Sequence, residues 1–428
     1  MRILVVGSGG REHAMAWRLS YGARVSKIYV APGNAGTASE EAMENVPIAA
    51  TDIESLADFA KLHEVDYTIV GGEQPLELGI VDLFRSRGIP IIGPMKDVAQ
   101  METSKIFAKE FMTRHSIPTA KYSWFDSSDA ARVHIDSLSY DYVIKADGLA
   151  AGKGVFLPSS KDEAYKVVDS LINERSLGNS GASIIVEERL NGTEISFMVL
   201  TDGKNIETFA TSRDYKRLRT GDLGPNTGGM GATSPVPSIT PELYARIMRE
   251  IVRPTIKGVL TDQGVPYTGF LYFGIMLSSD GSLFLLEYNC RLGDPETQVL
   301  MMRLKSDFSE LLFSAAHQKM ESYPDIEWDT RYALVVVIAS EGYPSNPVVG
   351  RPILSLPDNT ATFKLFHSGT TYENGCLLTS GGRVFGITVL GETARIARKN
   401  AYDMIPSISF KGMQYRSDIG YKCIKDHS

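Results

Sequence analysis

In the first hundred residues, three short apolar runs each stop at a glycine-bearing turn, and this repetition constrains the fold more than any other feature of the chain. The strand-like Arg2 to Val6 leads into GSGGREH and a helical run through Ala14, Trp17 and Leu19. KIYV leads into Ala31-Pro32-Gly33-Asn34, and DYTIV into Gly71-Gly72-Glu73-Gln74-Pro75. Turns that follow parallel strands collect on one edge of a sheet, where open α/β folds bind small molecules. An α/β architecture with a parallel N-terminal sheet is therefore expected. Gly9 and Gly10 allow close backbone approach, and the helix that follows points its first amides at an anion. The same residues also fit a tight turn with no ligand. A nicotinamide-binding fingerprint is incomplete, because Glu12 takes the place of the third glycine and no acid closes KIYVAPGN. Asn34 and Glu73 could join the first turn around one molecule, Glu73 suiting sugar hydroxyls. Each turn alone is better explained by ordinary turn chemistry, and it is their recurrence at three strand ends that favours a shared site.

The second constraint is SLFLLEYNCRLGDPETQ, residues 282–298. Strict strand alternation puts Leu283, Leu285, Glu287 and Asn289 on one face and Phe284, Leu286 and Tyr288 on the other. A face ending in a carboxylate and an amide, with Arg291 next, offers hard ligands and a fixed cation suited to a magnesium nucleotide. A solvated strand end is the alternative. The chain must break at Gly293-Asp294-Pro295.

Between these stretches the basic residues fall in suggestive places. A helix is expected from Lys96, with Met101, Ala108, Phe111 and Met112 on one face and Lys105 inside that stripe. Lys105 either snorkels or aims at phosphate. DYVIKADGLAAGKGVFL reads as strand, glycine loop and strand, with Lys145 ending the first strand and Lys153 in the loop. It lacks the Gly-Lys-Ser/Thr that opens a helix in a P-loop, so a hairpin lid over a triphosphate fits better. In SIIVEERLNGTEISFMVL the backbone carbonyls and amides after Val186 could hydrogen-bond an adenine edge. Glu187 would accept from the amino group and Glu194 would reach the ribose, although surface strand residues fit as well. Residues 213–234 show no period, and a loop of that length is unusual unless functional; Asp214, Lys216 and Arg217 are its chemical candidates. Thr240-Pro241-Glu242 starts a helix running to about Gly264. A last domain begins near residue 330, where Gly382 and Arg383 precede a strand and Arg383 could close over an anion.

Composition excludes several classes. A formal charge of -7 argues against a nucleic-acid partner. Cys290, Cys376 and Cys423 are too few and scattered for a disulfide framework, which suggests a reducing compartment. No apolar run approaches the roughly 18 residues of a membrane span, and ILVV is too short for a signal-peptide core. A cytoplasmic protein with no membrane partner is expected.

Taken together, GSGGREHA, APGNAGTA, TSKIFAKEFM, KADGLAAGKGV, GPNTGGMGA, NCRLGDPETQ and SGGRVFGIT resemble the glycinamide ribonucleotide synthetase family of the ATP-grasp superfamily across essentially the whole chain. The resemblance implies an N-terminal Rossmann-like domain at 1–100, an ATP-grasp core at 101–330 with a lid at about 122–190, and a small C-terminal α/β domain at 331–428. It implies ATP-dependent ligation of glycine to 5-phosphoribosylamine through glycyl phosphate, in de novo purine biosynthesis, by a monomer. Glu287 and Asn289 would hold Mg2+ or Mn2+. Lys105, Lys145, Lys153, Glu187, Leu190 and Glu194 would bind ATP, and Arg291 and Asp214 would serve catalysis. Gly9, Gly10, Asn34, Glu73, Asp294, Gly382 and Arg383 would contact substrate. Tyr215 and Thr220 depart from the family's more usual histidine and acid, which bears on that loop's substrate contacts. Cys290 replaces a more usual aliphatic residue and is expected to serve packing.

Overall fold

The structure, a computed structural model, describes residues 1–150 and 154–425. Its first sheet is parallel, in the order Met43–Asn45, Lys27–Pro32, Arg2–Gly7, Tyr67–Val70, Ile91–Ile92. The central strands are buried on both faces, which is why they read as continuous apolar runs rather than alternating ones. Because the second and fourth strands in chain order flank the first, the three glycine-bearing turns meet at one switch point.

A second sheet, antiparallel, orders Tyr122–Phe125, Ile184–Glu188, Tyr142–Ala146 and Val155–Phe156. Helices Ser128–Ser137 and Lys161–Val168 cover it, and Ala131, Ile135, Ile144, Leu171, Ile184 and Val186 make a core of its own. A central antiparallel sheet orders Ile206–Thr208, Thr193–Thr201, Gly269–Leu277 and Leu283–Asn289. Its Phe197, Leu271, Leu285 and Tyr288 share one core with Val6, Val70 and Phe84 of the first sheet's layer. Each such side chain, fully buried, contributes roughly 1.5–3 kcal/mol, so the two layers hold each other.

The stretch 213–234 is not the irregular loop its sequence suggests. Arg213–Asp214 and Gly231–Ser234 join a fourth sheet with Tyr332–Ala339, Arg383–Gly391 and Phe363–His367, while Arg217–Arg219 pairs with Leu223–Asn226. Gly231–Ser234 is buried throughout, so it carries no alternation to be read.

Two further expectations change. The helix from Lys96 is two helices, Lys96–Thr103 and Lys105–Arg114, parted at Ser104. Ser104 leaves helical geometry and its Oγ accepts from Phe107 N at 3.1 Å, capping the second helix. In Leu283–Asn289 the register slips between Gly274 and Ile275 of the partner strand, so Leu286 is an extra residue. This bulge reverses the alternation midway. Leu283, Leu285 and Tyr288 all enter the core, and Glu287 and Asn289 do not share a face with the leucines as strict alternation requires. Among the described residues no helix is long and apolar enough to cross a membrane.

Candidate active site

The bodies enclose a cleft of about 1110 Å³, to which the first sheet's edge, both helices around Ser104, the second sheet and the central sheet all contribute. On one wall, Lys105 opens the helix Lys105–Arg114 with Nζ 3.4 Å from the Gly148 carbonyl. Burial pulls its ammonium below the usual lysine range although Glu287 opposes this. Asp147 fixes the helix start: its Oδ1 accepts from Ile106 N at 2.8 Å and from Ser104 Oγ at 3.0 Å. Lys145 also faces the cleft, donating to Glu187 Oε1 at 2.5 Å. Lys153 lies outside the described residues.

Glu187 differs from expectation. Its second oxygen lies 2.8 Å from Lys109 Nζ and the side chain is buried, so the carboxylate is held between two lysines instead of facing an adenine amino group. Leu190 lines the cleft, as does Glu194, whose Oε2 is 3.6 Å from Lys216 Nζ.

The central sheet brings Glu287 and Asn289 to the opposite wall. Glu287 Oε1 accepts from Lys216 Nζ at 3.1 Å, and the Lys216 charge, outweighing burial, holds the carboxyl down at about 2. Asn289 commits its amide nitrogen to the Tyr288 carbonyl at 2.8 Å. Among the described residues no group of three or more His, Cys, Asp or Glu converges. Glu287 and Asn289 could hold a divalent cation here, offering it one carboxylate and one amide oxygen.

Beyond this wall, Arg291 pairs with Glu102 Oε1 at 2.8 Å and Glu73 Oε2 at 3.3 Å. Burial opposes the charge of Glu73, but Arg291 and Arg11 outweigh it and hold the carboxyl low. Arg383 donates to Asp294 Oδ2 at 2.7 Å and to the Gly228 carbonyl at 2.5 Å. Asp214 is half-buried at the cleft, with a buried Oδ1 that has no hydrogen-bond partner. Burial, and then the neighbouring Glu296 carboxylate, push it well above the carboxylate range. Glu296 accepts from Ser196 Oγ at 3.0 Å. A close pair of acids of this kind is suited to a small ammonium group.

Several expected contacts do not reach the cleft. Gly9 N donates to Glu12 Oε2 at 2.6 Å, so the chain's own carboxylate sits where an anion was expected. A side chain on Gly7 or Gly71 would strike Glu12, which fills the space that a third glycine would leave open. Gly10 is packed against Ser368 and Gln298. Asn34 is a helix cap: its Oδ1 accepts from Gly36 N and Thr37 N, and its Nδ2 donates to the Ser8 and His367 carbonyls. Gly382 is a platform for the Tyr343 ring, whose hydroxyl accepts from Gly228 N at 2.9 Å. Tyr215 turns away from the cleft: its hydroxyl accepts from Gly420 N at 3.1 Å and its ring lies beneath Arg416. Thr220 meets Ser417 at the surface.

Sequence reasoning missed Arg11, Glu102, Lys109 and Glu296, all of which line the cleft. Lys109 carried one signal, since it follows Lys105 by one helical turn; Glu296 stood inside the GDPETQ segment.

Comparison with known proteins bears on the whole chain. Family models described as phosphoribosylglycinamide synthetase match at residues 1–102 (N domain), 103–297 (ATP-grasp (A) domain) and 333–422 (C domain). The phosphoribosylamine–glycine ligase of Ralstonia nicotianae is 50% identical over 425 residues, covering 99% of this chain and 100% of its own. That of Vibrio cholerae is 46% identical, covering 99% of each. The crystal structure of the phosphoribosylamine–glycine ligase from Thermotoga maritima superposes with a TM-score of 0.85 at 36% identity, over 98% of this chain and 100% of that one. The biotin carboxylase of Campylobacter jejuni, at 15% identity, shares the fold with a TM-score of 0.76 over 99% of this chain and 95% of its own.

Proposed function

The chain belongs to the phosphoribosylglycinamide synthetase family, and from that membership we propose that it joins glycine to 5-phosphoribosylamine with cleavage of ATP, giving glycinamide ribonucleotide, ADP and phosphate in de novo purine biosynthesis. The observation that carries the reading is one cleft that gathers Lys105 and Lys145, the Glu287–Asn289 pair, Arg291 and Asp214 with its unbonded Oδ1.

The chemical difficulty is that a carboxylate resists attack by an amine, because oxide is a poor leaving group. Transfer of the ATP γ-phosphoryl group to glycine converts that oxygen into part of a phosphate. The amine of phosphoribosylamine then attacks the carbonyl carbon of glycyl phosphate, and phosphate departs. Lys105 and Lys145 neutralise the nucleotide phosphates, and Arg291 stabilises the transferring phosphoryl and acyl oxygens. A divalent cation on Glu287 and Asn289 supplies charge neutralisation at the phosphates when bound. Asp214, with Glu296 beside it, receives the glycine ammonium, whose positive charge relieves the repulsion between the two acids. Leu190 and Glu194 contact the adenosine, and Glu73 the ribose of phosphoribosylamine. Arg11 and Arg383, from the first and fourth sheets' layers, line the same cleft and suit its phosphate. Positioning and charge account for the chemistry, with no covalent change to the protein.

The test is ADP release from ATP with phosphoribosylamine, with glycine present or omitted. Release should require both substrates. Release that needs formate or bicarbonate in place of glycine, or neither, would overturn the assignment.

A further inference from the structure

We propose that Lys109 is a positioning residue that keeps Glu187 as a cradle for Lys145, and so governs how readily Lys145 is released to nucleotide phosphates. The proposal rests on the reading that the cleft binds ATP. Glu187, only 3% exposed, has one oxygen on Lys145 at 2.5 Å and the other on Lys109 at 2.8 Å. The two lysines are held differently. Lys109 is fixed: its Nζ also donates to Thr119 Oγ1 at 2.7 Å, and that hydroxyl donates to the Leu285 carbonyl at 2.8 Å. Its side chain is 2% exposed, whereas Lys145, at 12%, sits at the cleft wall.

Lys145 can therefore turn to a phosphate while Lys109 stays. Without Lys109, that movement would strand a buried carboxylate with no cation, an arrangement that opposes the release of Lys145. With Lys109 present, Glu187 is compensated in both positions of Lys145. Burial draws the Lys109 ammonium down to about 8 although Glu187 opposes this, so the carboxylate keeps it charged near neutrality. Lys109 follows Lys105 by one turn of the same helix, so one helix serves the cleft with one lysine and the cradle with the other.

The experiment is calorimetric titration of the full-length protein with ATP and magnesium, without glycine. Lys109→Met should weaken ATP binding by at least roughly tenfold. Adding Glu187→Gln to it should restore affinity to within about threefold, because the stranded charge is gone. In turnover, KM for ATP should rise in Lys109→Met while kcat changes little. Wild-type affinity in Lys109→Met, or a double variant as weak as the single one, would overturn the proposal. If Lys109→Met does not fold, Lys109→Gln, which still donates to Thr119, carries the same comparison. A wild-type protein that binds no ATP would overturn the ATP reading itself.

Discussion

Lys216 Nζ lies 3.1 Å from Glu287 Oε1 and 3.6 Å from Glu194 Oε2, so one ammonium joins carboxylates from two strands of the central sheet. Burial works against that charge, yet Glu194 and Glu287 hold Lys216 well above the usual lysine range. A cation entering beside Asn289 must share Glu287 with it. Glu287→Gln should therefore lose metal-dependent turnover by at least roughly a hundredfold, the scale of removing one preorganised charged group. The fold should survive, since volume barely changes. Magnesium titration of activity is the check, and near-normal rates at limiting magnesium would remove Glu287 from the metal site.

Lys105→Met should weaken ATP use more than stability. Methionine keeps much of the stem's packing, while one charge-assisted contact of about 1.5–3 kcal/mol is lost, or roughly 10- to 100-fold in affinity. KM for ATP and a thermal melt decide this together; a large fall in Tm with unchanged nucleotide affinity would make Lys105 structural.

Tyr215→Phe should leave KM for glycine unchanged and cost about 1 kcal/mol of stability, the value of the lost acceptor for Gly420 N. A several-fold rise in KM for glycine would place the residue in substrate binding after all.

Acid should weaken the contact between the first and fourth sheets' layers. His13 Nδ1 accepts from His367 N at 3.0 Å, so its proton is on Nε2, facing Glu40 Oε1 at 3.3 Å, and Lys364 also pairs with Glu40. Burial, then the neighbouring His13 and Lys364, push His367 down to about 3 from the ordinary 6.5, and burial lowers His13 as well. Both bases bind protons more readily unfolded, so their stabilising effect is complete above 6.5 and is lost as pH falls toward 3. In Glu40, burial is outweighed by hydrogen bonds from His13 and Lys364, which hold it at about 2; its contribution is lost below 4.5, with the same sign. Tm should decline steadily across this range, and His367→Phe should decline less; an unchanged slope would exonerate His367.

The oxygen lost from glycine should appear in phosphate. If glycine attacks the γ-phosphate, one carboxylate oxygen becomes the bridge of glycyl phosphate and leaves with phosphate. Glycine carrying heavy oxygen in both carboxyl positions should then yield phosphate with one heavy atom by mass spectrometry. Unlabelled phosphate with full product formation would sink the acyl-phosphate route.

What the sequence made legible was chemistry repeated along short stretches. The parallel first sheet could be read because its strands are buried on both faces, and the place of Glu287 and Asn289 at the cleft because a carboxylate and an amide stood two apart. Their phase could not be read, since the Leu286 bulge leaves no mark on residue type. Asn34 and Gly9 misled because a cap and an anion-binding turn use the same residues, and Glu12 supplies the anion from within the turn. Glu187 and Lys109 find each other across distant segments, a pairing that no local period records.

Among the described residues, the body from Tyr122 to Glu188 shares no core residue with the other three clusters. With its own core, and joined to the remainder at Lys109–Glu187 and at the Asp147 cap, it should open as a subglobal unit with its own exchange free energy. Under mild denaturant its amides should lose protection together while those of Tyr67–Val70 stay protected. The same seam is where a protease should first gain entry.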